Sequence, residues 1–162
     1  MNDMKWFLRP VCSADAVTLH RNCFPEQSLV EVDSHLRWCL RQMDKGRLVR
    51  LVAELDAQAV ANGQLALYRG RGEIGSLVVA PLCRRRGIGT ALLRALVAEA
   101  QPLQVRRLDI AVRSDLQWVS AWYRRLGFEA CEERTLPGNE HVAVLSMSVV
   151  SGEHLLPAEG RA

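Results

Sequence analysis

The sequence predicts one mixed α/β domain, and three observations lead to it. The spacing of apolar residues switches between strand-like runs and the three-and-four period of helices, in the order strand, helix, helix, three strands, helix, strand, helix, two strands. A chain of 162 residues is long enough to bury about two thirds of its unfolded surface in one core without disulfide or metal staples. No internal repeat, linker or low-complexity block interrupts it.

"KWFLRPV" reads as the first strand, and "SADAVTLHRNCF" as a helix capped by Ser13, with Ala16, Val17, His20 and Phe24 at helical spacing and Pro25 closing it. A second helix over 28–43 lines up Val32, Leu36, Cys39 and Leu40, and Lys45-Gly46 ends it. "RLVRLVAEL" and "AVANGQLALY" are strands joined by a turn around Asp56, with a bulge at Gly63 in the second. "RGRG" at 69–72 is a turn and "EIGSLVV" the third strand of this meander. The helix Ile88–Ala100 carries two adjacent apolar stripes, a face wide enough to lie on a sheet. "VRRLDIAV" is the next strand. "SDLQWVSAWYRRL" is a helix opened by Ser114 or Asp115 and closed by Gly127 at its C′ position, with Phe128 packing back on it. Two strands near 128–135 and 142–150 flank the loop "LPGNEH", so the domain spans 1–150 and 151–162 form a loose tail.

Composition excludes several function classes. An apolar fraction of 49% and a charged fraction of 24% are those of a soluble globular protein. No apolar run approaches a membrane span, and the N-terminal "MNDMKWFLRP" lacks the basic and apolar regions of a secretion signal, which points to the cytoplasm and away from a membrane. Five cysteines without a C-x-x-C pair, and four histidines without H-x-x-x-H spacing, give no disulfide framework and no metal site. There is no G-x-S-x-G elbow for a serine hydrolase. A net charge of +3 is too small to imply nucleic acid, although 19 of the 21 basic residues are arginine.

Those arginines matter locally. "VVAPLCRRRGIGTALL" runs from an apolar strand through Arg84, Arg85 and Arg86 and two glycines into an apolar-faced helix. The start of such a helix presents unpaired backbone N–H groups and a partial positive charge, and glycine lets an anion approach the chain closely. Three adjacent guanidinium groups suit a pyrophosphate better than a lone carboxylate. A P-loop is ruled out, because the only lysines, Lys5 and Lys45, do not follow a glycine. The dinucleotide fingerprint G-x-G-x-x-G begins at Gly87 and Gly89 but meets Leu92 at its third glycine; Asp109, 20 positions after Gly89, keeps that reading open, whereas the preceding meander speaks against it.

Arg84-Arg85-Arg86-Gly87-Ile88-Gly89 resembles the [QR]-x-x-G-x-[GA] signature of the GCN5-related N-acetyltransferases, in its usual place between a strand and a helix. "AWYRRLGFE" looks like the family's second landmark, a helix ending Y-x-x-x-G-F, and the order of elements agrees over nearly the whole chain. The resemblance implies a mixed, mostly antiparallel sheet flanked by about four helices and splayed into a V between the strands at 73–79 and 105–112, with acetyl-CoA as co-substrate in the gap. Leu77, Val78 and Val79 would line the pantetheine, the backbone of Leu77 and Val79 pairing with it like an added strand. The amides of Arg85, Arg86, Gly87, Ile88, Gly89 and Thr90 would hold the pyrophosphate, with Arg84 beside them. Where the family often has a cofactor-contacting asparagine, this chain has Leu116.

The same resemblance makes Tyr123 the acid that protonates the departing thiolate and Glu73 the carboxylate that takes a proton from the attacking ammonium through water. Read from spacing alone, Tyr123 is a core residue over Leu116 and Val119, and Glu73 a solvated strand-end charge. Cys83 lies beside the arginines but has no part in direct transfer. The implied reaction is acetyl transfer from acetyl-CoA to a primary amine of a small molecule or peptide by direct attack, by a monomer or homodimer without a metal. A non-catalytic acyl-CoA-binding domain is the alternative. The acceptor would meet Phe24, Glu26, His35, Trp38 and residues 136–141, where Glu26, Glu31, Asp33 and Glu140 suit a cation.

Overall fold

The structure, a computed structural model, describes residues 5–149; the expected tail at 151–162 lies outside them. The strands are β1 (Phe7–Pro10), β2 (Leu48–Leu55), β3 (Gln58–Tyr68), β4 (Arg71–Val79), β5 (Arg107–Arg113), β6 (Glu129–Leu136) and β7 (Glu140–Ser148). The helices are α1 (Ala16–Asn22), α2 (Leu29–Asp44), α3 (Ile88–Ala100) and α4 (Gln117–Arg125). All strands join one sheet in the order β1-β2-β3-β4-β5-β7-β6, antiparallel except for β4 against β5. The crossover between those two parallel strands is α3, as a parallel pair requires.

Alternation along the strands divides the core in two. On β2, Leu51, Ala53 and Leu55 face the side covered by α3 and α4, and Arg50 and Val52 face α1 and α2. The two stripes expected on α3 are both buried, through Ile88, Leu92, Leu93, Leu96, Val97 and Ala100. Each such leucine contributes about 1.5–3 kcal/mol by leaving water. At α2, Ser28 and Glu31 form a capping box: the Glu31 N–H donates to Ser28 Oγ at 3.2 Å, and the Ser28 N–H to Glu31 Oε2 at 2.7 Å.

Four local expectations are corrected. Cys12, not Ser13, precedes the first helical turn, and the Cys12 N–H donates to the Asp15 carboxylate at 2.8 Å. The buried face of α1 is Ala16, Leu19 and Cys23, while Val17 is exposed, because the i, i+3, i+7 stripe is the one that packs on α2 and β3. The register shift expected at Gly63 occurs there, but the extra residue is on the neighbouring strand: Ser76 and Leu77 of β4 together oppose Gly63. Neither Ser114 nor Asp115 caps α4, which begins after Leu116; Asp115 instead pairs with Arg113 at 2.7 Å.

Candidate active site

The geometry of the site follows from where β4 and β5 part. Their ladder runs from Arg71↔Arg107 to Ile74↔Ile110 and stops there, so Gly75–Val79 of β4 and the end of β5 diverge. The split coincides with the bulge at Ser76 and Leu77, where Ser76 adopts a left-handed φ of 50°. A bulge bends and twists its strand, which swings the end of β4 away from β5. Beyond it, the Ala80 N–H donates to Val60 O at 2.8 Å. In an antiparallel ladder consecutive residues alternate, so the N–H and C=O of Val79 turn away from β3 toward the opening. Val78 packs on the α1/α2 side, and Leu77 and Val79 on the α3/α4 side.

The chain then makes a short 3-10 turn at Pro81–Cys83, with Cys83 buried in the core, and enters the arginine turn. Arg85 and Gly87 both have left-handed φ values, 65° and 78°. Left-handed residues spaced along a turn aim successive N–H groups into one concavity. Arg85 does so without being glycine, a strained conformation of the kind found at functional turns. The amides of residues 85–90 make no hydrogen bond to any described residue, whereas the next, Ala91 N–H, closes the first helical bond to Gly87 O at 3.0 Å. Six consecutive donors therefore stand free at the positive end of α3. The Ile88 side chain is core, so this residue offers only its amide. Arg84 turns back, its Nε donating to Val79 O at 3.1 Å, while Arg85 and Arg86 are exposed and without a partner among the described residues.

Helix α4 closes the other side. A Cβ added at Gly89 would lie 3.6 Å from Val79 Cγ2 and 3.8 Å from the Trp122 indole, so the end of β4, the start of α3 and α4 converge there. The Trp122 and Tyr123 rings are 4.7 Å apart, and Tyr123 meets Phe128 edge-on at 5.8 Å. Tyr123 is 7% exposed, and burial pushes its pKa up to about 12. Its hydroxyl bonds to no described residue. The Tyr123 ring is core, and its hydroxyl carries a proton with no partner among the described residues. Leu116 packs on the same core and has no polar atom to offer from its side chain.

Glu73 is not gathered into this cluster. It is exposed at the closed end of the split, beside Asp109 in the register, and carries no hydrogen bond or ion pair to a described residue. Asp109 itself is buried and bound by Arg107 at 2.6 Å, Ser146 at 2.6 Å and Arg71 at 3.6 Å. A carboxylate so engaged is not free for a ribose, and the strands before the turn are antiparallel, which overturns the dinucleotide reading.

On the α2 side, His35 stacks on Trp38 with ring centroids 5.8 Å apart, and Trp38 is half exposed. Partial burial of the His35 ring, with the nearby Arg50 charge, lowers its pKa, so it is neutral at physiological pH. Two of the expected cation-attracting acids are engaged within α2: Glu31 in the capping box and Asp33 in an ion pair with Arg37 at 2.9 Å. Sequence reasoning missed Trp122 as the wall against Gly89, and also the buried polar pair Arg50 and Asn62. The second had a signal, since each interrupts an otherwise apolar strand.

The sheet thus splits beside its parallel pair, with the free amides of 85–90 at the mouth of the split, and the class of the protein is that of the acetyl-CoA-dependent acetyltransferases, as its family match shows. The profile of the Acetyltransferase (GNAT) family matches residues 14–128, and the chain belongs to that family. Among solved structures it is similar to a ribosomal-protein-alanine N-acetyltransferase from Brucella melitensis, at 22% identity and a TM-score of 0.73 over 88% of this chain and 99% of that one. It is similar to the ribosomal-protein-S18-alanine N-acetyltransferase from Escherichia coli at 17% identity and a TM-score of 0.70, over 93% and 99% of the two chains. The PaiA N-acetyltransferase from Thermoplasma acidophilum, solved with coenzyme A, has 15% identity and a TM-score of 0.67 over 90% and 99%. At these identities the likeness is one of fold. No curated protein matches the sequence. Among the described residues no helix is long and apolar enough to cross a membrane.

Proposed function

We propose that residues 1–150 act as one domain that transfers the acetyl group of acetyl-CoA to a primary amine by direct attack. The observation that carries this reading is the run of six free amides at 85–90, flanked by exposed arginines and opening onto the split between β4 and β5. A diphosphate matches several donors and more than one positive charge, and the outward backbone of Val79 continues the path for an amide-bearing arm.

The amine nitrogen attacks the thioester carbonyl carbon, the C–S bond breaks, and the thiolate takes a proton. Tyr123 supplies that proton, since its raised pKa keeps it protonated at neutral pH. The proton lost by the ammonium leaves through water, with Glu73 as its acceptor. His35 and Trp38, together with Phe24, Glu26 and residues 136–141, form the acceptor side. The solved relatives named for ribosomal-protein alanine acetylation support a peptide amine as one class to try, beside small amines and polyamines.

Calorimetric titration tests the cofactor: CoA binds in the micromolar range, 3′-dephospho-CoA more weakly and NAD not at all. Tight NAD binding without CoA binding would overturn the assignment. A panel of amines, polyamines, aminoglycosides and peptides, read by release of the CoA thiol, then identifies the acceptor. One observation favours the alternative of a non-catalytic acyl-CoA-binding domain, namely the apolar Leu116 at the start of α4. Slow acetyl-CoA hydrolysis that no amine accelerates would establish it.

A further inference from the structure

Among the described residues Arg50 is the largest fully buried side chain, 1% exposed on the face of β2 that meets α2. No carboxylate among the described residues pairs with it. Its partners are neutral: Nε donates to Asn62 Oδ1 at 2.7 Å, and Nη1 approaches Cys39 Sγ at 3.3 Å and His35 Nδ1 at 3.4 Å. A guanidinium in this position has given up its hydration without gaining a counter-charge, a cost its neutral partners offset only in part.

Asn62 links this cation to the split in the sheet. It is itself 0% exposed, and its Nδ2 donates to the carbonyl oxygen of Ser76 at 2.8 Å. Ser76 is the left-handed residue of the β4 bulge, φ 50°, and its carbonyl belongs to the peptide that carries the Leu77 N–H. The chain of contacts therefore runs from a buried positive charge, through one amide side chain, to the peptide group where β4 leaves β5. Hydrogen bonds in series polarise one another, so the charge on Arg50 strengthens the bond to Ser76 O and, through that peptide, the Leu77 N–H as a donor.

We propose that Arg50 and Asn62 are positioning residues that hold the β4 bulge open, so that residues 77–79 present their backbone to the pantetheine of acetyl-CoA. The proposal rests on the cofactor reading above. It explains why a costly buried cation is kept on the side of the sheet opposite α3, away from the phosphate turn.

Two full-length variants separate this role from general stability. Arg50→Met removes the charge and the donor but fills the space. Asn62→Asp, studied at mildly alkaline pH, keeps a partner for Arg50 but no longer donates to Ser76 O. Hydrogen exchange is read by mass spectrometry without ligand, and CoA affinity by calorimetry. Arg50→Met leaves the buried Asn62 Oδ1 without its donor and is expected to melt below the wild type. In both variants amide exchange over 75–79 should quicken by on the order of 10-fold while the β2/β3 ladder is unchanged, and CoA affinity should fall by a similar factor. Wild-type exchange over 75–79 in Arg50→Met overturns the proposal, and so does wild-type CoA affinity in a variant whose bulge has loosened. If the wild-type protein binds no CoA, the cofactor reading falls, and the positioning proposal falls with it even where the exchange pattern shows the brace.

Discussion

Replacing Tyr123 by phenylalanine removes one oxygen and leaves the ring. The ring packs 4.7 Å from Trp122 and 5.8 Å from Phe128, and the hydroxyl has no partner among the described residues, so its removal orphans no internal group. The stability change is therefore within about 0.5 kcal/mol, a shift of less than about 2 °C for a chain of this size. The chemical step behaves differently. The buried phenol, its pKa pushed up to about 12, holds its proton at working pH and in the proposed mechanism gives it to the thiolate. Losing a positioned acid costs on the order of 10²-fold in kcat, about 2.7 kcal/mol of barrier, with acetyl-CoA affinity unchanged because the proton is needed only as the C–S bond breaks. The assay is CoA-thiol release with the acceptor found in the amine panel, beside calorimetry and thermal melting. A thioester with a more acidic thiol should rescue the variant disproportionately, since that thiolate departs unaided. Full activity in Tyr123→Phe, or an equal loss on both thioesters, would refute the acid role and leave water as the donor.

The two glycines of the turn should fail in different ways. Gly87 is left-handed with open space around it, so Gly87→Ala costs backbone strain of about 1–2 kcal/mol, visible as a lower melting temperature. Gly89→Val should leave the fold intact, since its Cβ would make ordinary contacts at 3.6 Å and 3.8 Å, but fill the gap between Val79 and Trp122 and abolish CoA binding; normal binding would move the phosphate site elsewhere. Glu73→Gln should lower kcat/KM for ammonium acceptors without changing CoA affinity, and an unchanged kcat/KM would assign the proton to water alone. On its own, burial would raise the Asp15 carboxyl, but the Arg9 hydrogen bond, the Cys12 N–H and the Arg9 charge outweigh it and hold the pKa below the usual carboxylate value. Its contribution is complete above the unfolded value of about 3.9 and is lost as pH falls through the lower folded value, so acid unfolding followed by circular dichroism should sharpen below about pH 4 and flatten in Asp15→Asn.

Much of the fold is written in local patterns. The stripes on α3 are legible because a helix lying on a sheet must bury a wide face, and Ile88–Ala100 has the bounds its periodicity indicates. The turn of free amides at 85–90 is legible for a similar reason, since R-x-x-G-x-G between an apolar strand and an apolar helix leaves backbone donors free. Motif resemblance, and not periodicity, singled out Tyr123 as an acid; its spacing alone marks a core residue, and its ring is buried.

What the sequence by itself determined is thus the order and type of elements, the α3 face and the turn of free amides before it, because each depends on neighbours within a few residues along the chain. Only the tertiary structure decided which strand carries the bulge, since one extra residue can be absorbed on either side of a ladder and the register of β3 against β4 sets the outcome. It also decided that Trp122 closes the gap at Gly89, that Arg50 and Asn62 meet behind Ser76, and that Asp15 rather than Ser13 holds the first turn. Apart from the local Cys12–Asp15 bond, those contacts join residues 12 to 33 positions apart, and their geometry depends on packing that no local spacing encodes.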